Sequence, residues 1–555
     1  MIIQKPFAKA DPHRESLFVG FLGLLLFTAG LWRQPFVEFE TRFALFAQEM
    51  WRHGLSVFPT AYGEPYPDYP ATSTILIWLF SLPFGAVTKL SAVLPTAISA
   101  ALTLMITYRL LTRFSRKWAL LTIGFEILTV TFLAEARSIS LDQMLATITL
   151  FSFYLAYTTA QNKQHARLAG LSLLLVFGFL IRGPLGVVIP AAVVCSYYLL
   201  SAQWRRLVTF GLSAALILFV CWVGLLALAE HLYSAEFAHD VVHMQVAGRL
   251  NEADAPGVLY YFTSSFGNYA LAYPIAVLVI ISLAISERDQ FRKPFGEDSR
   301  SLLIFFMGWI LIVIAGLSIP HAKKARYLLP IVPAIAALAA YPLITFVDTN
   351  RSRALKYLGF ALEKILLVLP TLVLIGLWVA TRHTPKNSEP LHLPLLFISA
   401  LLIAYQVTAI VVQWRGKQEY KAFGALLAAV LAVWTVNLLV AEPIALQLHD
   451  SHKFVQQVEA MRRENPGEVV FFRVGKDAAA IKYMVNVDYD LKPLFLNEPN
   501  ELKTLRSTAY LIVEDGELPA LESVPQLSNL RPVLHDRFDH HFYSVFRIAG
   551  IAVRP

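Results

Sequence analysis

Charge is scarce in this chain. Only 15% of its 555 residues are Asp, Glu, Lys or Arg, whereas a soluble globular chain carries roughly 25%, so most of it has to lie in lipid. Cysteine is nearly missing: Cys195 and Cys221 both sit in apolar runs, which argues against a disulfide framework. There is no Walker loop, no dinucleotide fingerprint and no Asp-x-Asp pair of the nucleotide-sugar enzymes. No polar stretch carries the basic patch that nucleic acid requires, so nucleic acid is excluded as a partner. What the chain has in abundance is apolar surface, with 56% hydrophobic residues and a mean hydropathy of +0.55. Its formal charge of +8 says little about partners, because membrane proteins carry Lys and Arg on cytoplasmic loops for orientation.

A membrane span needs about 20 mostly apolar residues. Segments 17–32, 93–112, 118–134, 141–160, 167–181, 184–202, 207–229, 269–285, 302–319, 326–347, 361–381, 391–413 and 421–441 qualify, giving about thirteen spans. The N-terminus, with Lys5, Lys9 and Arg14 before an apolar run, resembles a signal peptide. Trp32-Arg33-Gln34 follows that run in place of a small-residue cleavage site, so it reads as a retained first span. Segment 74–90 is a further apolar run, and charge decides its fate. If it does not cross and the N-terminus is cytoplasmic, the inside loops hold Arg109, Arg113, Arg116 and Lys117, then Lys163 and Arg167, Arg205 and Arg206, Arg351, Arg353 and Lys356, and Arg415 and Lys417. That is the positive-inside pattern. Segment 74–90 is therefore expected to lie in the outer interface, with Trp78 as an anchor.

The chain thus divides into a membrane domain, 1–441, whose outer loop 33–92 carries interfacial helices, and a tail, 442–555. In the tail charge rises, and short strand-like runs (469–472, 510–513, 542–546) alternate with helical stretches at 452–463 and 476–484. A soluble, extracytoplasmic α/β domain is expected there, with an accessory or recognition role. Nearly all nontrivial polar chemistry falls on the outer side.

Five outer clusters carry candidate chemistry, since polar groups beside spans are costly and need a reason. Glu38-Phe39-Glu40-Thr41-Arg42 precedes an amphipathic helix ending Glu49-Met50-Trp51, and Gly63-Glu64-Pro65-Tyr66-Pro67-Asp68-Tyr69-Pro70 follows. Ala136-Arg137-Ser138-Ile139-Ser140-Leu141-Asp142 places an acid at the start of a span, where a helix N-terminus favours it in any case. Ile181-Arg182-Gly183-Pro184 forms a basic turn. His243, Gly248-Arg249-Leu250 and Tyr260-Tyr261-Phe262 share one loop, and Lys323-Lys324-Ala325-Arg326-Tyr327-Leu328-Leu329-Pro330 forms a basic hinge. His239 and His243 stand one helical turn apart, a spacing that could hold a divalent metal, although no third ligand is evident.

In order and spacing these motifs resemble those of the GT-C transferases that use polyprenyl-phosphate sugars, including the lipid A 4-amino-arabinose transferases and, more distantly, the protein O-mannosyltransferases. The resemblance runs from Glu38 to Pro330. It implies a GT-C fold, a polyprenyl-phosphate-linked sugar donor within the lipid bilayer, and a glycolipid or protein acceptor. By resemblance Arg42, Lys323, Lys324, Arg326 and Tyr327 hold the donor phosphate, while Tyr66, Asp68, Tyr69, Arg182, His243 and Arg249 contact substrate. Cations outside contradict the positive-inside rule, and binding a lipid phosphate would explain them. The plain alternatives are headgroup contact for the hinge and, for Arg42, a salt bridge to Glu38 or Asp142.

The chain departs from the family's usual Asp-Glu-x-Arg-Tyr. Phe39 stands where the catalytic Asp is expected, Phe43 replaces the Tyr, and Tyr69 replaces a Lys. Phe cannot accept a proton. Either Glu40 or Glu38 takes over, or Asp142 is the operative carboxylate, or the acceptor is already an anion such as a phosphate and needs no base. The expected function is transfer of a sugar from polyprenyl phosphate to a periplasmic acceptor, lipid A or another glycolipid, at a bacterial inner membrane. A protein O-glycosyltransferase and a non-catalytic polyprenyl-phosphate-binding or flipping relative are the alternatives.

Overall fold

A computed structural model describes residues 11–159, 163–248, 256–286, 298–345, 353–383, 394–475, 479–505, 507–522 and 531–548. Arg249 lies outside the described residues. Two units emerge: Met1–Ala29, Pro67–Pro70 and Val93–Ala441 form the first, and Gly30–Tyr66, Ala71–Ala92 and Glu442–Pro555 the second. The first helices are α1 (Pro12–Thr28), α2 (Glu40–His53), α3 (Thr72–Ser81), α4 (Lys89–Leu111), α5 (Arg116–Leu128), α6 (Val130–Ala136), α7 (Leu141–Thr158), α8 (Gln164–Arg182), α9 (Leu185–Leu200), α10 (Trp204–Leu232) and α11 (Ala235–Val242).

The first unit is helical. Among the described residues of the whole chain, eight helices are long and apolar enough to cross a membrane, or nine if α5 and α6 count as one broken span. Those two meet at 76°. The break falls at Thr129, whose backbone is extended (ψ 114°) and whose Oγ1 donates to the Phe125 carbonyl at 2.9 Å, so no proline is needed. Helices α7, α8 and α9 pack on one another. A Cβ on Gly178 would come within 2.1 Å of the Gly186 carbonyl oxygen, so only glycine allows the α8 and α9 backbones this close. The helix Val332–Thr345 is almost wholly buried, with alanines at 334, 336, 337, 339 and 340 letting neighbours approach. Trp118 Nε1 donates to its Ala337 carbonyl at 2.8 Å.

In the second unit, α3 has 10 residues. At 1.5 Å per residue that is about 15 Å, roughly half the hydrocarbon thickness. Helix α2 buries Phe43, Leu45, Phe46, Ala47 and Met50. It is held to the C-terminal part of the unit by Gln48 Nε2 donating to the Val485 carbonyl (3.0 Å) and Arg52 Nη2 to that of Val487 (2.7 Å). Strands β1 (Thr60–Ala61) and β2 (Glu64–Pro65) make a short antiparallel ribbon, turned by Tyr62 and Gly63 at positive φ.

The remaining strands are β3 (Glu468–Phe472), β4 (Leu494–Leu496), β5 (Ala509–Glu514), β6 (Leu534–Phe538) and β7 (His541–Ile548), in the spatial order β4-β3-β5-β7-β6. Pairs β3–β4 and β3–β5 are parallel; β5–β7 and β6–β7 are antiparallel. One face buries Val470, Phe472, Leu511, Val513 and Phe546 with Leu502, Leu505 and Leu521. On the other, Tyr510 Oη donates to the Met461 and Asn465 carbonyls, both at 2.9 Å, tying the sheet to the helix His452–Glu464. Phe471 stacks edge-on against Tyr483, whose phenol is pushed up by burial and by the Glu459 carboxylate it bonds. Covered on both faces, β3 and β5 read as continuous apolar runs and were visible as such in the sequence. A small sheet is present in the C-terminal region; β4, only three residues long, and β6, polar at His535, Asp536 and Arg537, carried no such signal.

Candidate active site

Helices α7 and α8 are joined by a short connection and so run antiparallel, which brings the start of one beside the end of the other. Ser140 caps α7, its side chain accepting from the Gln143 N–H at 3.2 Å, and Asp142 sits in the first turn. Arg182 ends α8, where a cation is favoured by the carbonyl-rich terminus. The chain then turns at Gly183, whose φ of +57° favours glycine and where a Cβ would come within 3.0 Å of the Tyr69 ring.

The two side chains form a fork. Arg182 Nε donates to Asp142 Oδ1 at 2.9 Å and Nη2 to Oδ2 at 3.2 Å, with both residues buried. Arg182 Nη1 donates to Tyr69 Oη at 2.7 Å, and its guanidinium lies over the Tyr69 and Tyr327 rings at 5.1 and 5.3 Å. From the hinge, now a 3-10 segment (Ala325–Ile331), Arg326 Nε reaches Asp142 Oδ2 at 3.3 Å. The Arg326 side chain keeps 21% exposure. Asp68 Oδ1 accepts from Gln245 Nε2 at 3.2 Å and from the Tyr69 N–H at 2.9 Å. Glu135, buried at the end of α6, feels the charges of Arg326, Asp142 and Arg182. Motif residues from 68 to 327 are therefore gathered around one carboxylate.

The rest of the hinge behaves differently. Lys323 is buried and donates to the Pro256 carbonyl at 3.2 Å, whereas Lys324 is exposed. His239 and His243 are both exposed on α11 and the turn that follows it. Arg137 donates to the carbonyls of Leu26, Phe27 and Ala29 at 3.2, 3.1 and 2.8 Å, closing the C-terminus of α1 and serving structure.

A second acid–base cluster lies in the second unit. Glu40 opens α2, is 2% exposed, and its Oε1 accepts from the Val37 N–H (2.9 Å) and from Lys89 Nζ in a short contact. Its Oε2 has no hydrogen-bond partner. The Arg42 guanidinium lies 5.1 Å from the Phe43 ring and 5.9 Å from that of Tyr66, which packs on Phe46. Glu38 takes φ +52° and turns its carboxylate to His449, 3.0 Å away.

Sequence reasoning passed over Lys89, Gln245 and Glu135. The first could have been found, because a lone lysine ending an apolar run is a functional flag by default. Gln245 could not, since nothing in a glutamine's surroundings marks it before folding.

Helices long and apolar enough to cross a membrane, with polar motifs gathered at the ends of α7 and α8, describe a multi-pass membrane protein. Solved structures agree. An aminoarabinose transferase, ArnT, from Cupriavidus metallidurans bound to undecaprenyl phosphate matches with a TM-score of 0.67 at 16% identity, over 97% of this chain and 98% of that one. Its apo form matches with a TM-score of 0.69 at 15% identity, over the same shares of the two chains. Residues 68–233 match the dolichyl-phosphate-mannose-protein mannosyltransferase family. An undecaprenyl phosphate-α-4-amino-4-deoxy-L-arabinose arabinosyl transferase of Pseudomonas aeruginosa strain UCBPP-PA14 is 27% identical over 437 residues, covering 76% of this chain and 73% of its own length. A second such enzyme, from Pseudomonas fluorescens strain Pf0-1, is 27% identical over 67% of this chain and 65% of its own. The chain is thus similar to these transferases in sequence over about three quarters of its length and in fold over nearly all of it, and its apolar helices make it a multi-pass membrane protein.

Proposed function

We propose that this chain is a glycosyltransferase that moves a sugar from a polyprenyl-phosphate carrier to an anionic glycolipid acceptor of the lipid A kind on the periplasmic side. Its N-terminus would then be cytoplasmic, and 442–555 would be a periplasmic α/β domain. The observation that carries the reading is the cluster of Asp142, Arg182 and Arg326. Two guanidiniums share one carboxylate, and the hinge side chain keeps 21% exposure. Guanidiniums bind phosphate bidentately and keep their charge when buried. Asp142 orients the pair, Arg326 meets the donor phosphate, and that charge stabilises the leaving phosphate as the glycosidic bond breaks.

The ion pairs also bear on how the acceptor is activated. Asp142 is held by two arginines and Glu40 by Lys89. Both carboxylates are thus engaged in ion pairs. An acceptor that arrives as a phosphate anion needs no proton removed, so the loss of the usual Asp at Phe39 is tolerable. A neutral hydroxyl, as on Ser or Thr of a protein acceptor, would need a base in place of the Asp lost at Phe39.

The test is transfer by purified protein from undecaprenyl-phosphate aminoarabinose to lipid A. Arg326→Ala is expected to lower turnover by at least about 100-fold, with membrane insertion unchanged. Wild-type turnover in that variant would overturn the assignment of Arg326. Transfer to a protein hydroxyl, with none to a phosphate, would overturn the acceptor class.

A further inference from the structure

Away from the arginine cluster, three side chains far apart in sequence converge within the second unit. Glu38, His449 and His540 each offer one ligand atom, and these atoms all lie within 4.8 Å of one another. We propose that they form a zinc site that ties the segment before α2 to the C-terminal sheet.

Each residue is presented by a defined piece of backbone. Glu38 sits in the left-handed region, φ +52°, fixed by Thr41 Oγ1 donating to its carbonyl at 2.6 Å. A non-glycine residue is strained there, which is worth explaining where its side chain points at two histidines. His449 ends the helix Glu442–His449. His540 stands at the tip of the β6–β7 hairpin, a two-residue loop with Asp539 at φ +58° and Phe538 paired to His541.

The donor set suits zinc. Two imidazoles and a carboxylate are typical zinc ligands, whereas Ca²⁺ and Mg²⁺ prefer oxygen alone. Glu38 Oε1 and His449 Nε2 are 3.0 Å apart, close to the roughly 3.3 Å between neighbouring ligands of a tetrahedral zinc. The His449 and His540 rings meet edge to face with centroids 4.1 Å apart. Two protonated imidazoles so close would repel, while two neutral ones can share a cation. Glu38 and His540 are about half exposed, so both can rotate inward, and a water would complete the shell.

A supporting carboxylate is already in place. Asp539 is 8% exposed, and its Oδ1 lies 3.5 Å from His449 Nδ1; neither atom has a hydrogen-bond partner. A slight tightening would let Nδ1–H donate to Asp539, leaving the Nε2 lone pair toward Glu38 and the metal. That is the carboxylate–histidine–zinc arrangement. Lys482 Nζ, 2.5 Å from Asp539 Oδ2, holds the carboxylate on its far side.

The site does not depend on the transfer reaction, and its test does not use activity. Untagged full-length protein in detergent is stripped with a chelator and titrated with Co²⁺, then with Zn²⁺ in competition. One equivalent of Co²⁺ should give the visible ligand-field bands of a four-coordinate ion, and zinc should bleach them and raise the thermal transition by about 3 °C or more. His540→Ala and Glu38→Gln should each abolish the bands, and Asp539→Asn should weaken zinc by about 10- to 100-fold. Both ligands are exposed enough that folding should survive, which the apo thermal transition checks. A wild-type protein that shows no bands, or bands that persist in both ligand variants, overturns the site.

Discussion

The two acid–base clusters solve the same problem by different means. In the first unit Asp142 is touched by Arg326 and gripped by a two-point fork from Arg182, whose guanidinium lies over the Tyr69 and Tyr327 rings. In the second, Glu40 meets a single lysine, and one of its oxygens is left without a hydrogen bond. A planar guanidinium fixes a carboxylate's orientation, whereas an ammonium supplies charge without direction. The Asp142 cluster is thus the rigid, pre-oriented one. The Glu40 pair has an unused acceptor and can reorganise.

That contrast can be broken experimentally, and the largest effect should come from the fork. Arg182→Gln leaves Asp142 buried with only a partial partner and should destabilise the protein by about 3–5 kcal/mol, seen as a lowered thermal transition and poor yield. Arg182→Lys should recover only part of this, because the fork is lost; full recovery would show that charge alone matters there. Next in size, Lys89→Met should cost about 2–3 kcal/mol by stranding Glu40. Adding Glu40→Met should return most of it, since a packed apolar pair can replace a buried ion pair. A double variant no more stable than Lys89→Met would mean that Glu40 is not held by its lysine. Ser140→Ala, which removes the cap of α7 below Asp142, should cost about 1 kcal/mol, measured by thermal unfolding in detergent. The smallest change should be Glu517→Ala, which breaks an exposed pair with Arg473 (3.1 Å) and should shift stability by less than about 0.5 kcal/mol.

Much of the membrane fold was legible because lipid imposes simple rules. Spans must be long and apolar, and a basic residue outside them demands a reason. The motif residues Asp142, Arg182 and Arg326 could be singled out from sequence for that cause, although they are distributed over 185 positions of chain. Their partnership could not, because it rests on the antiparallel return of α7 and α8 and on the hinge folding over both. Segment 118–134 is a similar case. It reads as one span, yet Thr129 returns its hydroxyl to the Phe125 carbonyl and turns the chain by 76°. A threonine in an apolar run is too common to announce a break. Arg42 was expected to bind phosphate or to bridge to Glu38 or Asp142; stacking over Phe43 and Tyr66 depends on ring positions that no spacing encodes.

By itself, then, the sequence determined that the chain enters lipid many times and that its C-terminal region alternates strand-like and helical runs. Composition and periodicity suffice for these, since each follows from local transfer of apolar residues out of water; the order of its polar motifs adds a resemblance to the polyprenyl-phosphate-sugar transferases. Which carboxylate meets which cation was left to the tertiary structure. It paired Asp142 with Arg182, Glu40 with Lys89 and Glu38 with two histidines, because the strength of a buried ion pair depends on ångström distances between groups that only the packed fold brings together.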